Sequence, residues 1–477
     1  MKFRPIFIMG TSSGVGKTTI VTALCKIFSD MGLNVVPFKA QNMSLNSGVG
    51  IGGEMAYAQI IQAIGCGKTP NVKMNPVLLK PEENRTQVIV EGKYFGTLDA
   101  SNYMNWDKNE IFNKVIKNFN ILNEENDLVI VEGAGSPAEI NLRYDIANMK
   151  LAEKINSKNI LVADIDKGGA FASIVGTVDI IGKEKFSGYI LNKFRGDVSL
   201  LKEGYDFLYE KYGLKHYGTI PYMNFNLPQE DSLWSWTGKE GKIKISIIKL
   251  PHISNLTDFH IFYYIENIGV NFSKKPEDLK NSDIIIIPGT KLTVSDMLYL
   301  KNEGFEDAII ENYREGKRII GICGGYQMLG EYIIDNFETK IGKIPGFGIL
   351  KSRTKFDNKK IVSLIKGEIV HPQFKNYRIS GYEIHFGKSF SKKPFSIIYN
   401  KNGFETYQFD GSFEKNVIGT YFHDIFLNIK FLEKYLNDIL QEYGMEKIKI
   451  NYSLNKEINN LAKFIKKYID VNSILYD

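Results

Sequence analysis

The sequence predicts an α/β protein made of two doubly wound parallel sheets. Short β-branched runs recur along the chain, and segments of helical periodicity lie between several of them. The pattern also stops near residue 240 and then restarts. Aliphatic strands buried on both sides and alternating with helices imply a parallel sheet covered on its two faces. The chain has 477 residues, room for more than one domain at about 100–200 residues each.

In the first half the predicted strands are residues 6–9, 35–38, 128–131, 160–163 and 189–191, each ending in glycine or polar residues. Val21, Leu24, Cys25 and Phe28 fall on one face of a helix after the first strand. A polar, Pro- and Gly-punctuated stretch at 224–242 then interrupts the pattern. It restarts with aliphatic runs at 243–250, 284–287, 318–323 and 417–423. We therefore expect a first domain over 1–235 and a second over 242–477. The last stretch carries an apolar helical stripe of Ile458, Leu461, Phe464, Ile465, Tyr468 and Ile469, read as a packing face on the second domain.

Composition narrows the function. Sixty basic against 54 acidic residues give only +6, too mild and dispersed for a nucleic-acid binder. The basic, apolar start is too short for a signal peptide, and no apolar run nears the ~18 residues that span a bilayer. No membrane partner is expected. Three cysteines cannot build a disulfide framework, so a reducing cytoplasm is the expected setting. Composition leaves a homo-oligomer open.

Two motifs carry chemistry. Gly10-Thr-Ser-Ser-Gly14-Val-Gly16-Lys17-Thr18 follows a strand and opens a helix, the context of a P-loop, so the first domain is read as P-loop NTPase-like. Glycines let backbone N–H groups close around phosphates, and the helix N-terminus adds partial positive charge. ATP is the expected cofactor, with Lys17 on its phosphates and Thr18 on Mg²⁺. A second Mg²⁺ ligand should come from a neighbouring strand end, at Glu132 or Asp166. The form Gly-Thr-x-x-x-x-Gly-Lys-Thr resembles that of dethiobiotin-synthetase-like ATPases.

The second motif is Gly-Ile-Cys323-Gly324-Gly-Tyr-Gln, between a buried strand and a helix. A sharp strand-to-helix turn there would lift the sulfur out of the sheet as a nucleophile, small neighbours leaving room for substrate. Cys25, on an apolar helix face, and Cys66 read as packing residues. The expected base is His423, at the end of another apolar strand, with His385 as the alternative. Backbone N–H groups at Gly289 and Gly324 could form an oxyanion hole.

The elbow matches the class I glutamine amidotransferase pattern Gly-x-Cys-x-Gly-x-Gln, which implies a flavodoxin-like second sheet. With the P-loop half, the chain resembles the cobyric acid synthase family. The matching stretches are PFKAQNMSLNS (37–47), MNPVLLKP (74–81), VEGAGSPAEINLR (131–143), DIDKGGAFASIVGT (164–177), LNKFRGD (191–197), LPHISNLTDF (250–259), GYEIHFG (381–387) and GTYFHDIF (419–426). The resemblance implies an ATP- and glutamine-dependent ligase of adenosylcobalamin biosynthesis. It would amidate the b, d, e and g carboxylates of adenosylcobyrinic acid a,c-diamide with ammonia released from glutamine.

Carried over by position, Cys323 forms the thioester and His423 acts as base and acid. The acid that class I enzymes place two residues beyond the histidine is Ile425 here, so Glu383 is the stand-in considered for orienting His423. Lys39 would steady the transferring phosphoryl group. Asn42, Asn46, Arg143, Lys167 and Arg195 are candidates for holding the corrinoid polycarboxylate. Two other readings stand beside this one: a cobyrinic acid a,c-diamide synthase, and a P-loop switch ATPase with a non-catalytic C-terminal module.

Overall fold

The computed structural model describes residues 2–81, 85–99, 102, 108–141, 145–228 and 238–477. It divides into two units, Met1–Asp231 with Ser453–Asp477, and Ser232–Tyr452. Among the described residues no helix is long and apolar enough to cross a membrane.

The first unit is built on β1 (Ile6–Gly10), α1 (Lys17–Asp30), β2 (Val35–Phe38), α2 (Tyr57–Gly65), α3 (Asn109–Glu125), β3 (Leu128–Glu132), β4 (Lys158–Asp164), β5 (Gly188–Phe194) and β6 (Lys215–Pro221). The sheet runs β6-β5-β4-β1-β3-β2, with every pair parallel. Its residues alternate between two cores. Phe7, Met9, Val129, Val131, Leu161 and Leu191 pack on one side, and Ile6, Ile8, Leu128, Ile130, Ile160 and Ile190 on the other. Burial on both faces explains why these strands read as continuous aliphatic runs. The strand order reverses between β1 and β3, so their C-terminal ends, Gly10 and Glu132, flank a crevice where such sheets bind ligands.

The second unit repeats the plan with β7 (Ile243–Ile248), β8 (Ile268–Ser273), β9 (Ile284–Ile287), α4 (Thr293–Asn302), β10 (Arg318–Ile322), α5 (Gly324–Leu329), β11 (Ser412–Glu414) and β12 (Val417–Thr420). The order is β8-β7-β9-β10-β12-β11, parallel except for the edge strand β11. Two four-stranded sheets between residues 332 and 410 add to this plan, and the sequence reading omitted them. Their strands are partly exposed, as in Ile361–Ile369, where buried and accessible positions interleave.

The C-terminal helices α6 (Leu454–Ile465) and α7 (Val471–Tyr476) correct the expectation that the tail packs on the second domain. They return to the first. Leu461, Ala462, Ile465 and Ile474 lie in one core with Ile20, Leu24 and Phe28 of α1. Ile469 bridges Gly218 on the edge strand β6, and Lys158 Nζ donates to the carbonyls of Ser473 and Ile474 at 2.6 and 3.0 Å. The periodicity identified the apolar face, but periodicity does not say what that face covers.

Deleting residues 453–477 strips Leu461, Ala462, Ile465 and Ile474 from the face that also packs the P-loop helix. At about 1.5–3 kcal/mol for each large side chain, the loss rivals a typical domain stability of about 5–15 kcal/mol. The truncated chain is expected to lose nucleotide binding and the first unit's thermal transition. Calorimetry of both chains checks this, and an unchanged transition would contradict it.

Candidate active site

The P-loop forms as its residues dictate. Gly14 and Gly16 adopt φ of 73° and 101°, left-handed values that only glycine takes without strain. Gly16 also has no room for a Cβ, which would lie 2.1 Å from Asn192 Nδ2. Asn192 Nδ2 donates to the Val15 carbonyl at 2.8 Å, and Lys193 Nζ to that of Gly14 at 2.8 Å, so the strand-end residues of β5 brace the loop. Lys17 Nζ donates to the carbonyls of Ser12 and Gly135, at 3.1 and 3.0 Å.

Glu132, fully buried, gathers three groups. The Thr18 hydroxyl and the Lys39 ammonium each donate to its Oε1 at 2.8 Å, and Gln62 Nε2 donates to its Oε2 at 2.5 Å. Thr18, Lys39 and Glu132 are thus brought together from the first turn of α1 and the ends of β2 and β3. A hydroxyl beside a buried carboxylate is a hard oxygen donor pair, which suits Mg²⁺.

Asp166 is placed differently. It is exposed, and its carboxylate accepts from Arg195 Nε at 2.8 Å, with the Arg195 guanidinium over the Tyr222 ring. Lys167 is exposed next to it, while Asn42 and Asn46 are buried, at 2% and 3% exposure. Arg143 lies outside the described residues.

In the second unit, Cys323 occupies the turn between β10 and α5 with φ 52° and ψ −107°. That is a strained backbone for a residue with a side chain, and it is what a nucleophile elbow requires. The surrounding glycines are explained by close approach. A Cβ on Gly325 would lie 2.0 Å from the Ile287 carbonyl, and one on Gly321 2.7 Å from that of Gly325. Gly289 borders both His423 and Cys323: a Cβ there would lie 3.2 Å from His423 Cε1 and 3.7 Å from Cys323 Cβ. One on Gly324 would meet Thr290 Cγ2 at 2.6 Å. The two stretches expected to supply oxyanion-hole donors are therefore adjacent at the sulfur.

His423 follows β12, and its imidazole stacks on Tyr382 at 5.1 Å. Its Nδ1 lies 2.7 Å from Asp258 Oδ2, and Asp258 Oδ1 accepts from the Asp424 N–H at 2.8 Å. Both rings and carboxylate are buried. Burial of the imidazole opposes its charge, but the Asp258 carboxylate, with a smaller contribution from Cys323, outweighs that and raises its pKa to about 10. His423 Nε2 has no hydrogen-bond partner among the described residues. The imidazole is thus anchored at Nδ1 by the Asp258 carboxylate, with Nε2 on the other side of the ring.

Asp258 corrects the sequence reading, which turned to Glu383. That carboxylate is instead occupied by Lys401 at 2.5 Å and by His385 Nε2 at 3.4 Å. His385, the alternative base, is committed at both nitrogens, since Nδ1 meets the Gly387 carbonyl at 2.9 Å, and it stacks on Tyr421. Asp258 stands in the LPHISNLTDF stretch, so a signal was present, but nothing local linked it to a histidine 165 residues away. Asp410, which no sequence motif marks, is a second buried carboxylate near the site. Its buried carboxylate accepts from the Thr420 hydroxyl at 2.6 Å and the Tyr421 N–H at 3.0 Å, fixing the strand end that leads to His423. Burial pushes its pKa up to about 6.

A nucleotide-binding P-loop unit and a Cys–His glutaminase-type unit on one chain define a glutamine-dependent ligase. Comparison with known proteins agrees for both units. Residues 6–232 match the CobQ/CobB/MinD/ParA nucleotide-binding domain, and residues 244–431 the CobB/CobQ-like glutamine amidotransferase domain. A probable cobyric acid synthase of Thermococcus gammatolerans is 49% identical over 99% of both chains. A cobyric acid synthase of Clostridium botulinum (strain Okra) is 44% identical over 98% of both. The chain belongs to the cobyric acid synthase family.

Proposed function

We propose that this chain amidates the b, d, e and g carboxylates of adenosylcobyrinic acid a,c-diamide, using ATP and glutamine. The observation that carries the reading is the pairing, in one chain, of the Lys17–Thr18–Glu132–Lys39 cluster with the Asp258–His423–Cys323 arrangement. Each supplies one half of the chemistry.

In the glutaminase half, His423 already holds the proton that Cys323 gives up, and Cys323 Sγ attacks the amide carbon of glutamine. The oxyanion that forms is received by N–H groups at Gly289 and Gly324. His423 then gives the proton to the departing ammonia, leaving a thioester that water hydrolyses to glutamate. In the ligase half, a substrate carboxylate oxygen attacks the γ-phosphorus of ATP, and ADP leaves. Ammonia adds to the resulting acyl phosphate, and phosphate departs with formation of the amide. Lys17 and Lys39 offset charge on the transferring group. Thr18 and Glu132 would hold Mg²⁺, which when bound neutralises phosphate charge. Asp166 would join them only by releasing Arg195. Asn42, Asn46, Arg143, Lys167 and Arg195 remain the candidates for meeting the corrinoid's carboxylates.

Phosphate release distinguishes this reading from a switch ATPase. It should depend on a corrinoid polycarboxylate and match amide formation one for one. ATP turnover at the same rate without corrinoid would contradict the reading. Lys39→Met should lower ATP-dependent amidation by at least about 100-fold, with ammonia or glutamine as donor, and leave glutaminase activity intact. Equal loss of both activities would argue against separate sites.

A further inference from the structure

The carboxylate of Glu132 is the end of a longer buried chain. Its Oε2 accepts from Gln62 Nε2 at 2.5 Å; Gln62 Oε1 accepts from Gln59 Nε2 at 3.5 Å; Gln59 Oε1 accepts from Asn42 Nδ2 at 2.7 Å. Gln59, Gln62 and Glu132 are fully buried, and Asn42 is 2% exposed. Gln59 and Gln62 sit one turn apart on α2, and no sequence motif marks either of them.

Two physical points give this chain a direction and a purpose. An ionised carboxylate only accepts hydrogen bonds, so Gln62 must turn its NH₂ toward Glu132. Its carbonyl then faces Gln59, and the same logic orients Gln59 toward Asn42, so each amide has one permitted orientation. Burying two glutamine amides in a helix that leucine could fill is also costly unless the amides are used. Here they hold one oxygen of Glu132 and leave the other to Thr18 and Lys39.

We propose that Gln62 is a positioning residue for the metal-binding carboxylate of Glu132. Gln59 and Asn42 lock its amide and tie it to the strand Gln41–Met43, in the stretch proposed to meet the corrinoid's carboxylates. The inference rests on the reading of Glu132 as a Mg²⁺ ligand. Partners that orient a metal ligand are typically worth about 10–100-fold in metal affinity.

The test is a calorimetric titration of the full chain with a non-hydrolysable ATP analogue across a Mg²⁺ series and without Mg²⁺. Gln62→Met keeps the side chain's length and removes the amide. It should raise the Mg²⁺ concentration needed for tight nucleotide binding by about 10–100-fold and leave metal-free nucleotide binding unchanged. Gln59→Met should shift it in the same direction by less. If Glu132→Gln shifts the Mg²⁺ requirement and Gln62→Met does not, this inference fails while the reading of Glu132 stands. If Gln62→Met weakens metal-free binding by the same factor, Gln62 is only structural and the inference fails. If Glu132→Gln shifts nothing, the metal reading itself fails and takes this inference with it. Should Gln62→Met not fold, Gln62→Asn, which withdraws the amide by one methylene, is expected to give the same shift, and no shift overturns the inference.

Discussion

Cys323→Ser should abolish glutamine-dependent amidation while ammonium salts still support it. Cys323 holds the elbow conformation, φ 52°, and Gly289 borders both its Cβ and the His423 ring. Serine preserves the size and the turn but presents a hydroxyl, which His423 is not poised to activate to the same degree. Loss of a nucleophile in comparable acyl-transfer sites costs on the order of 10⁶ in turnover. The ligase half draws on groups in the other unit, so free ammonia should bypass the lesion. Glutamate release and amide formation, measured in parallel with each nitrogen donor, check this. Loss of both activities in a folded variant would contradict it.

Asp258→Asn should lower glutamine turnover by about 10²–10⁴-fold, the range set by loss of the carboxylate that fixes a catalytic histidine's tautomer. The substitution keeps the shape, and its amide still fits near Asp424, but it removes the acceptor 2.7 Å from His423 Nδ1. It should also change the pH dependence of stability. The His423 pKa is raised from 6.5 to about 10. A raised histidine pKa stabilises the fold fully below the unfolded value and loses that contribution as pH rises through the folded one. The wild-type chain should therefore melt above the variant at neutral pH, and the gap should narrow as pH approaches about 10. A gap that widens over that interval would contradict the assigned ion pair.

The parts of the fold legible in the sequence were those with local physical signatures. Both parallel sheets showed as aliphatic runs because their strands are buried on two faces, as in Ile284–Ile287. The P-loop and the Cys323 elbow showed because glycine spacing and strand-to-helix context sit within a dozen residues. What stayed hidden depends on tertiary closure. The two further sheets of the second unit have strands whose accessible positions carry charges, such as Lys366 and Glu368 in Ile361–Ile369, and dilute the aliphatic signal. Asp258 becomes the partner of His423 only when β7 and β12 lie in the same sheet. The C-terminal stripe revealed its apolar face, but its docking on α1 follows from the uncovered side of the first sheet.

The central claim is that this chain amidates a corrinoid that already carries its a and c amides. The direct measurement is the product mass after incubation with ATP, glutamine and, separately, cobyrinic acid or its a,c-diamide in adenosylated form. The account predicts that the a,c-diamide gains amides at its b, d, e and g carboxylates, and that cobyrinic acid is left unconverted. Amidation of cobyrinic acid itself at a and c, with the a,c-diamide left unchanged, would contradict it.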